Sequence, residues 1–204
     1  MEITIVSLIE RFIDRLVPLI QHLNEYDFEY KVFRAHKLRD GKLGLIVTIA
    51  DLFRQLLLDE SWEYKFIAED DMRFIVSNPK EIIEKCLQQT PEDYDMLYLG
   101  CNLWQPLIHK HSQNLIQVND VYALHSVIYS RKGMQKVLNE IHQMVNIIAL
   151  DVLIKEKILP DGKSYCSFPM LTKQVESYSD IENKIVNYDK VLQNRFNQRT
   201  RHLL

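Results

Sequence analysis

Three consecutive carboxylates, Glu69, Asp70 and Asp71, close an apolar stretch in the string FIAEDDMRF (66–74). In extended chain, residues 69 and 71 point to one side and residue 70 to the other. Two carboxylates on one side suit a hard divalent cation, Mg²⁺ or Mn²⁺, that also grips a diphosphate. Such an ion neutralises charge on a leaving nucleotide. The bland alternative is a solvated acidic turn ending a strand. The chain has only five glycines, and it lacks the P-loop, the Gly-x-Gly-x-x-Gly fingerprint, the Gly-x-Ser-x-Gly elbow and His-Glu-x-x-His. Phosphate binding therefore falls to a metal and to basic side chains, with Arg11, Arg15 and Arg73 as candidates that serve equally well as surface ion-pair partners. Tyr98, Trp104 and Tyr178 are able to stack on a base or a sugar, although core packing is the commoner use of an aromatic ring. Among the histidines, His109 and His111 read as exposed loop residues. His125 is divided between core and site, His36 edges the site, and the late His202 lies in the tail.

The elements that must position these residues follow from periodicity. Strands are expected at Ile3–Leu8, Phe28–Phe33, Tyr64–Ala68, Asp95–Gly100, Leu115–Val118, Val121–Ser130 and Lys163–Phe168. Helices are expected over residues 9–23, Leu45–Leu58, Pro79–Gln88, Arg131–Met144, Asn146–Lys157 and Ser179–Asn194. The alternation predicts a Rossmann-like α/β domain with a mostly parallel central sheet, in which ligands bind at the carboxyl ends of the strands. Glu69–Asp71 would stand at one such end.

At 204 residues the chain is expected to form one domain, 1–204, with a basic helical tail over about 181–204. Five basic residues (Lys184, Lys190, Arg195, Arg199, Arg201) there face two acidic ones (Glu182, Asp189). The tail reads either as a solvated helix face or as a handle for an anionic acceptor or a membrane surface. A net charge of −3 argues against a dedicated nucleic-acid binder. Three cysteines without Cys-x-x-Cys spacing suit a reducing compartment. The first residues do not read as a signal peptide, and no apolar run approaches a membrane span. The expectation is a cytoplasmic protein, at most peripheral at a membrane.

Several segments in order resemble glycosyltransferase family 25, the lipopolysaccharide-biosynthesis and collagen-galactosyltransferase relatives, whose members are A-type (GT-A) nucleotide-sugar enzymes. The acidic motif Glu69-Asp70-Asp71 resembles their metal motif. Ile5-Val6-Ser7-Leu8, with Arg15 further on, resembles the opening strand and basic residue, and Val32-Phe33-Arg34-Ala35 the segment reaching the nucleotide base. Tyr94–Gly100, His125–Gly133, Pro169–Gln174 and Ser179-Asp180-Ile181 are similar to later family segments. One departure is that Gly44–Ile49 keeps a glycine and a hydroxyl but has Ile49 where the family carries a histidine.

The resemblance implies transfer of a hexose from a UDP-sugar, galactose or glucose, to a glycan or other hydroxyl acceptor, with Mn²⁺ or Mg²⁺ and inversion at the anomeric carbon. It implies metal ligation by Asp71 and Glu69. Donor contacts would come from Ser7, Leu8, Arg15, Ala35, Glu69 and Asp70, with Gln174, Ser179 and Asp180 closing the site. Asp151, in the apolar segment 147–153, matches the family's aspartate before a short helix and would be the base that takes the acceptor proton. A plain helix N-terminal charge explains Asp151 about as well. Two alternatives stay open: a catalytically degenerate binder of nucleotide sugar or glycan, motivated by Ile49, and another metal-dependent nucleotidyl- or phosphoryl-transferase using the same carboxylates.

Overall fold

The computed structural model describes residues 1–182 and 184–203, with the side chain of Lys190 outside the described set. The chain runs β1 (Glu2–Ser7), α1 (Val17–Glu25), β2 (Glu29–Arg34), α2 (Gly41–Leu57), β3 (Tyr64–Glu69), β4 (Met72–Phe74), α3 (Pro79–Gln89) and β5 (Met96–Tyr98). Short strands follow: β6 (Asn102–Leu103), β7 (His109–Lys110), β8 (Leu115–Gln117) and β9 (Val121–Tyr122), then β10 (Ser126–Ser130), α4 (Arg131–Gln143) and α5 (Leu150–Lys157). The chain continues with β11 (Ser164–Ser167), β12 (Thr172–Gln174), β13 (Ser177–Ser179), β14 (Lys184–Val186) and α6 (Asp189–Thr200).

Eight strands form the main sheet in the order β2-β1-β3-β10-β5-β11-β8-β7. The sheet is mixed, which corrects the expectation of a mostly parallel Rossmann-like one. β1 runs parallel to β2 and β3, and β5 to β11. The other four neighbouring pairs are antiparallel, because β10 enters reversed between β3 and β5, and β8 reverses against both β11 and β7. A buried central strand is a continuous apolar run in either direction, so its own residues do not state which way it points.

Alternation along the strands separates two cores. Ile3, Ile5, Phe66, Ala68, Leu97 and Ile128 face α1, the turn before it and α3, where Leu16, Leu19, Leu23 and Ile83 meet them. Val6, Ile67, Met96, Tyr98, Val127 and Tyr129 face α2, α4 and α5. Tyr98 is therefore a core residue and has no part in stacking on a ligand.

Local chemistry sets several boundaries. Asp40 caps α2 by accepting from the Lys42 amide at 2.9 Å, so this helix starts four residues before the apolar run that announces it. Ser130 caps α4 by accepting from the Gly133 amide at 2.9 Å. A Cβ on Gly133 would lie 2.0 Å from the Asp95 carbonyl oxygen, so only glycine lets α4 pack onto the loop before β5. The expected helix over Ser179–Asn194 is instead the β13–β14 hairpin followed by α6. Ile185, part of the helical spacing there, is 71 % exposed.

Candidate functional site

The carboxyl ends of β1, β2 and β3 open into a cleft of about 560 Å³. Its floor is set by strand ends, and its walls come from segments that approach very closely. The Ala35 amide donates to the Ser7 carbonyl at 2.8 Å, continuing the β1–β2 pairing past the strand end. Thr48 accepts from the His36 amide at 2.8 Å and donates to the Gly44 carbonyl at 2.6 Å, which ties the 35–38 segment to α2. A Cβ on Gly44 would sit 2.8 Å from the His36 carbonyl oxygen, and one on Gly41 would sit 2.3 Å from that of Asp180. Two of the five glycines thus serve wall contact.

The acidic motif spans a strand end and a turn. Glu69 is the last residue of β3, with its amide donating to the His125 carbonyl at 3.0 Å. Asp70 and Asp71 form the turn into β4, which pairs with β12. The simple alternation expected of residues 69–71 ends there, and each carboxylate has different partners. Ser7 Oγ donates to Asp70 Oδ2 at 2.6 Å, and the Arg15 guanidinium pairs with Asp70 and, at 3.1 Å, with Asp71. Gln174 Nε2 lies 3.5 Å from Asp71 Oδ2. Arg15 comes from the π-helical turn Phe12–Leu16 ahead of α1, a wide-turn geometry that recurs at functional sites.

Charge crowding shows in the ionisation. Burial, followed by the charge of Asp71, pushes Glu69 up to about 8. Burial raises Asp70 to about 6 against the pull of Arg15 and Ser7. Asp71 is raised by burial despite Arg15 and Gln174. Burial alone would weaken Arg15 as a base, but Asp71, Asp70 and Glu69 together raise it.

Asp71 Oδ1 is buried without a hydrogen-bond partner. An acceptor oxygen in that state, beside the cleft-lining Glu69, fits a divalent cation. Among the described residues no group of three His, Cys, Asp or Glu side chains converges to hold a metal by itself. Glu69 and Asp71 would be the protein ligands, and water or substrate oxygens would complete the shell.

Asp151 lies in the first turn of α5 and lines the same cleft. Its Oδ1 accepts from the Val152 amide at 2.9 Å and its Oδ2 from the Ala123 amide at 3.5 Å. Ala123 holds a left-handed φ of 72°. The helix-terminal reading and the cleft-carboxylate reading of Asp151 therefore describe one position. Ser7, Leu8, Arg15, Ala35, Glu69, Asp70, Asp71, Asp151, Gln174, Ser179 and Asp180 all line this one cleft.

Asp180 is tied rather than free. Arg11 donates to it through Nε at 2.9 Å and Nη2 at 3.2 Å, and Lys37 pairs with it as well. Burial would raise Asp180, but these two cations hold it below the ordinary carboxylate range. Arg11 also lies over the Tyr178 ring, 4.7 Å from its centroid. These contacts hold the β13–β14 hairpin along the cleft mouth.

The remaining candidates divide between cleft and core or surface. His125 is fully buried, and burial holds it neutral with a pKa lowered to about 4; its Nε2 is 3.3 Å from Thr172 Oγ1. His109 and His111 are exposed, and His202 Nε2 lies 3.4 Å from the Ile108 carbonyl, away from the cleft. Arg73 donates to the Met72 carbonyl at 2.6 Å and props the turn. Ile49 is a core residue. His36 lines the cleft with Nε2 2.7 Å from Asp51 Oδ2.

The residues that periodicity does not single out are those brought by the last third of the chain. Tyr188 and Leu192 from the tail line the cleft, as do Tyr122 and Ala123. Arg195 reaches the Trp104 ring instead of water. Apolar residues inside a basic tail were the one available signal.

No known family model matches the chain, and no curated protein matches it. Among solved structures, it is similar to a glycosyltransferase involved in glycosylation of the major capsid of PBCV-1. The TM-score is 0.55 at 9% identity, covering 99% of this chain and 97% of that one. It is also similar to A197 from STIV, with a TM-score of 0.50 at 14% identity, covering 91% and 93%. At 9 and 14% identity the likeness is one of fold alone, without a specific family identity.

Proposed function

We propose that the protein transfers a hexose from a nucleotide sugar, UDP-galactose or UDP-glucose by preference, to a hydroxyl acceptor. The observation that carries this reading is convergence: carboxylates, basic residues and hydroxyls drawn from both ends of the chain line one cleft at the ends of β1, β2 and β3. The mixed-sheet fold shared with a solved glycosyltransferase supports it.

In this reading Ser7, Leu8 and Ala35 receive the nucleoside, and Gln174, Ser179 and Asp180 close over the donor. Arg15 holds Asp70 and Asp71 in place. Glu69 and Asp71 would hold a divalent cation, which when bound would neutralise charge on the leaving diphosphate. Asp151 accepts the proton of the acceptor hydroxyl as its oxygen bonds to the anomeric carbon. The bond from that carbon to the diphosphate oxygen breaks, and UDP leaves with the electron pair. Attack from the face opposite the diphosphate gives inversion.

Thermal melts with UDP, GDP, CDP and ADP, each with and without Mn²⁺, test the reading. A ligand at 100 times its Kd adds about 2.7 kcal/mol, or about 5–10 °C for a chain of this size. The expected result is a UDP shift that needs Mn²⁺ and vanishes in Asp71→Asn. No shift with any nucleotide in folded protein would overturn the proposal and make Glu69–Asp71 an acidic turn.

A further inference from the structure

One wall of the cleft carries a partly exposed aromatic ring. Trp104 is 46% exposed and lines the cleft. Exposed apolar side chains are common on a protein surface, but this one stands in the wall of a concave site, where an aromatic ring can meet a ligand.

The ring is held in place from several directions. The Arg195 guanidinium of α6 lies over it, 4.0 Å from the centroid, and is itself fixed by donating to Asn102 Oδ1 at 2.6 Å. Tyr122 meets it edge-on at 6.2 Å. The Trp104 amide donates to the Asp120 carbonyl at 2.9 Å, closing the β6–β9 pair. A platform fixed in this way binds without an ordering cost at the moment of contact. Polar groups flank it, and β9 runs directly into Ala123, whose amide points at Asp151.

We infer that Trp104 is the floor of an acceptor subsite and that the acceptor is a saccharide ring. A pyranose has one face of C–H groups that matches an aromatic plane, and a rim of hydroxyls that needs hydrogen-bonding neighbours. The Trp104 wall offers both, and it shares the Ala123 junction with the carboxylate proposed as base. A serine or threonine side chain presents no such flat apolar face. This inference rests on the transferase reading above and adds the acceptor class to it.

The two tryptophans of the chain give two indole N–H signals in a ¹⁵N-labelled sample of the whole chain. Trp62→Phe assigns them, and Trp104→Phe assigns them if the first variant does not fold. Methyl β-glucoside, methyl β-galactoside, lactose and xylobiose are titrated to about 50 mM, a range that reaches millimolar Kd values. The peptide Gly-Ser-Gly serves as control. The expected result is a saturable shift of the Trp104 signal with at least one saccharide, while Trp62 stays still. Binding should weaken at least about tenfold in Trp104→Ala, less in Trp104→Phe, and the UDP–Mn²⁺ melting shift should be kept in both. Failure of every saccharide to move Trp104, movement by the peptide alone, or direct movement by UDP with loss of the UDP melting shift in Trp104→Ala would overturn the inference. If wild-type protein keeps its UDP shift while Trp104 ignores saccharides, the acceptor assignment alone falls. If the UDP shift is absent from the start, the transferase reading falls with it.

Discussion

In one part of the cleft two of three crowded carboxylates, Asp70 and Asp71, lean on one largely covered guanidinium, Arg15. Elsewhere on its wall a guanidinium, Arg195, lies on an indole and has a neutral partner, Asn102. The first arrangement holds charge in a low-dielectric place and depends on pairing. The second holds an apolar surface in a wet place and depends on packing and cation–π attraction. The same residue type thus does electrostatic work in one place and mechanical work in the other. A disturbance of the acidic cluster should be large and sensitive to ions and pH. A disturbance of the aromatic cluster should be small and insensitive to ions and pH.

The largest effect should come from Arg15→Met. It leaves Asp70 and Asp71 buried without their cation, which costs about 3–5 kcal/mol, read as a drop in urea midpoint at neutral pH. The variant should regain part of that loss as pH falls and the carboxyls protonate. A variant as stable as wild type at pH 7 would show that the pairing is dispensable.

Next in size is the contribution of His125 behind the acidic turn. Its folded pKa, lowered to about 4 from 6.5, means that the unfolded chain takes up a proton in that window which the folded chain refuses. The contribution is complete above pH 6.5 and is lost as pH falls toward 4, by up to about 3 kcal/mol. Glu69, with its folded pKa near 8, acts with the opposite sign, so the His125 effect is read by difference against His125→Gln. The stability advantage of wild type over this variant should shrink between pH 6.5 and 4, and a constant difference would show that His125 is solvated or charged.

At the aromatic cluster, Arg195→Gln should cost only about 0.5–1 kcal/mol and leave the UDP–Mn²⁺ shift unchanged. A loss of UDP binding there would join the two clusters into one electrostatic unit and break the contrast. Smallest of all, Ala123→Gly should stabilise the fold by up to about 1 kcal/mol, because glycine adopts a φ of 72° without the Cβ penalty. Equal or lower stability in urea would show that the left-handed alanine is unstrained.

The sequence by itself determined the features that depend on neighbours along the chain. The apolar run of β3 ending in carboxylates and the βα order of the first half follow from local side-chain chemistry. The candidacy of Asp151 comes from the family resemblance, and local chemistry alone reads it as a helix N-terminal charge. Tertiary structure alone decided the rest. Strand direction is one case: β10 runs antiparallel to β3 and β5, and an apolar strand buried on both faces reads the same in either direction. The partners of the acidic motif are another. Arg15 and Ser7 reach Asp70 only because β1 lies beside β3, and sequence separation carries no information about that neighbour. The tail is the clearest case. Its basic composition reads as a solvated face or as a handle for an anionic surface, yet Leu192 and Phe196 are buried, and α6 carries Arg195 onto Trp104. Burial belongs to the surface a helix meets, and that surface is made by residues far away in the chain.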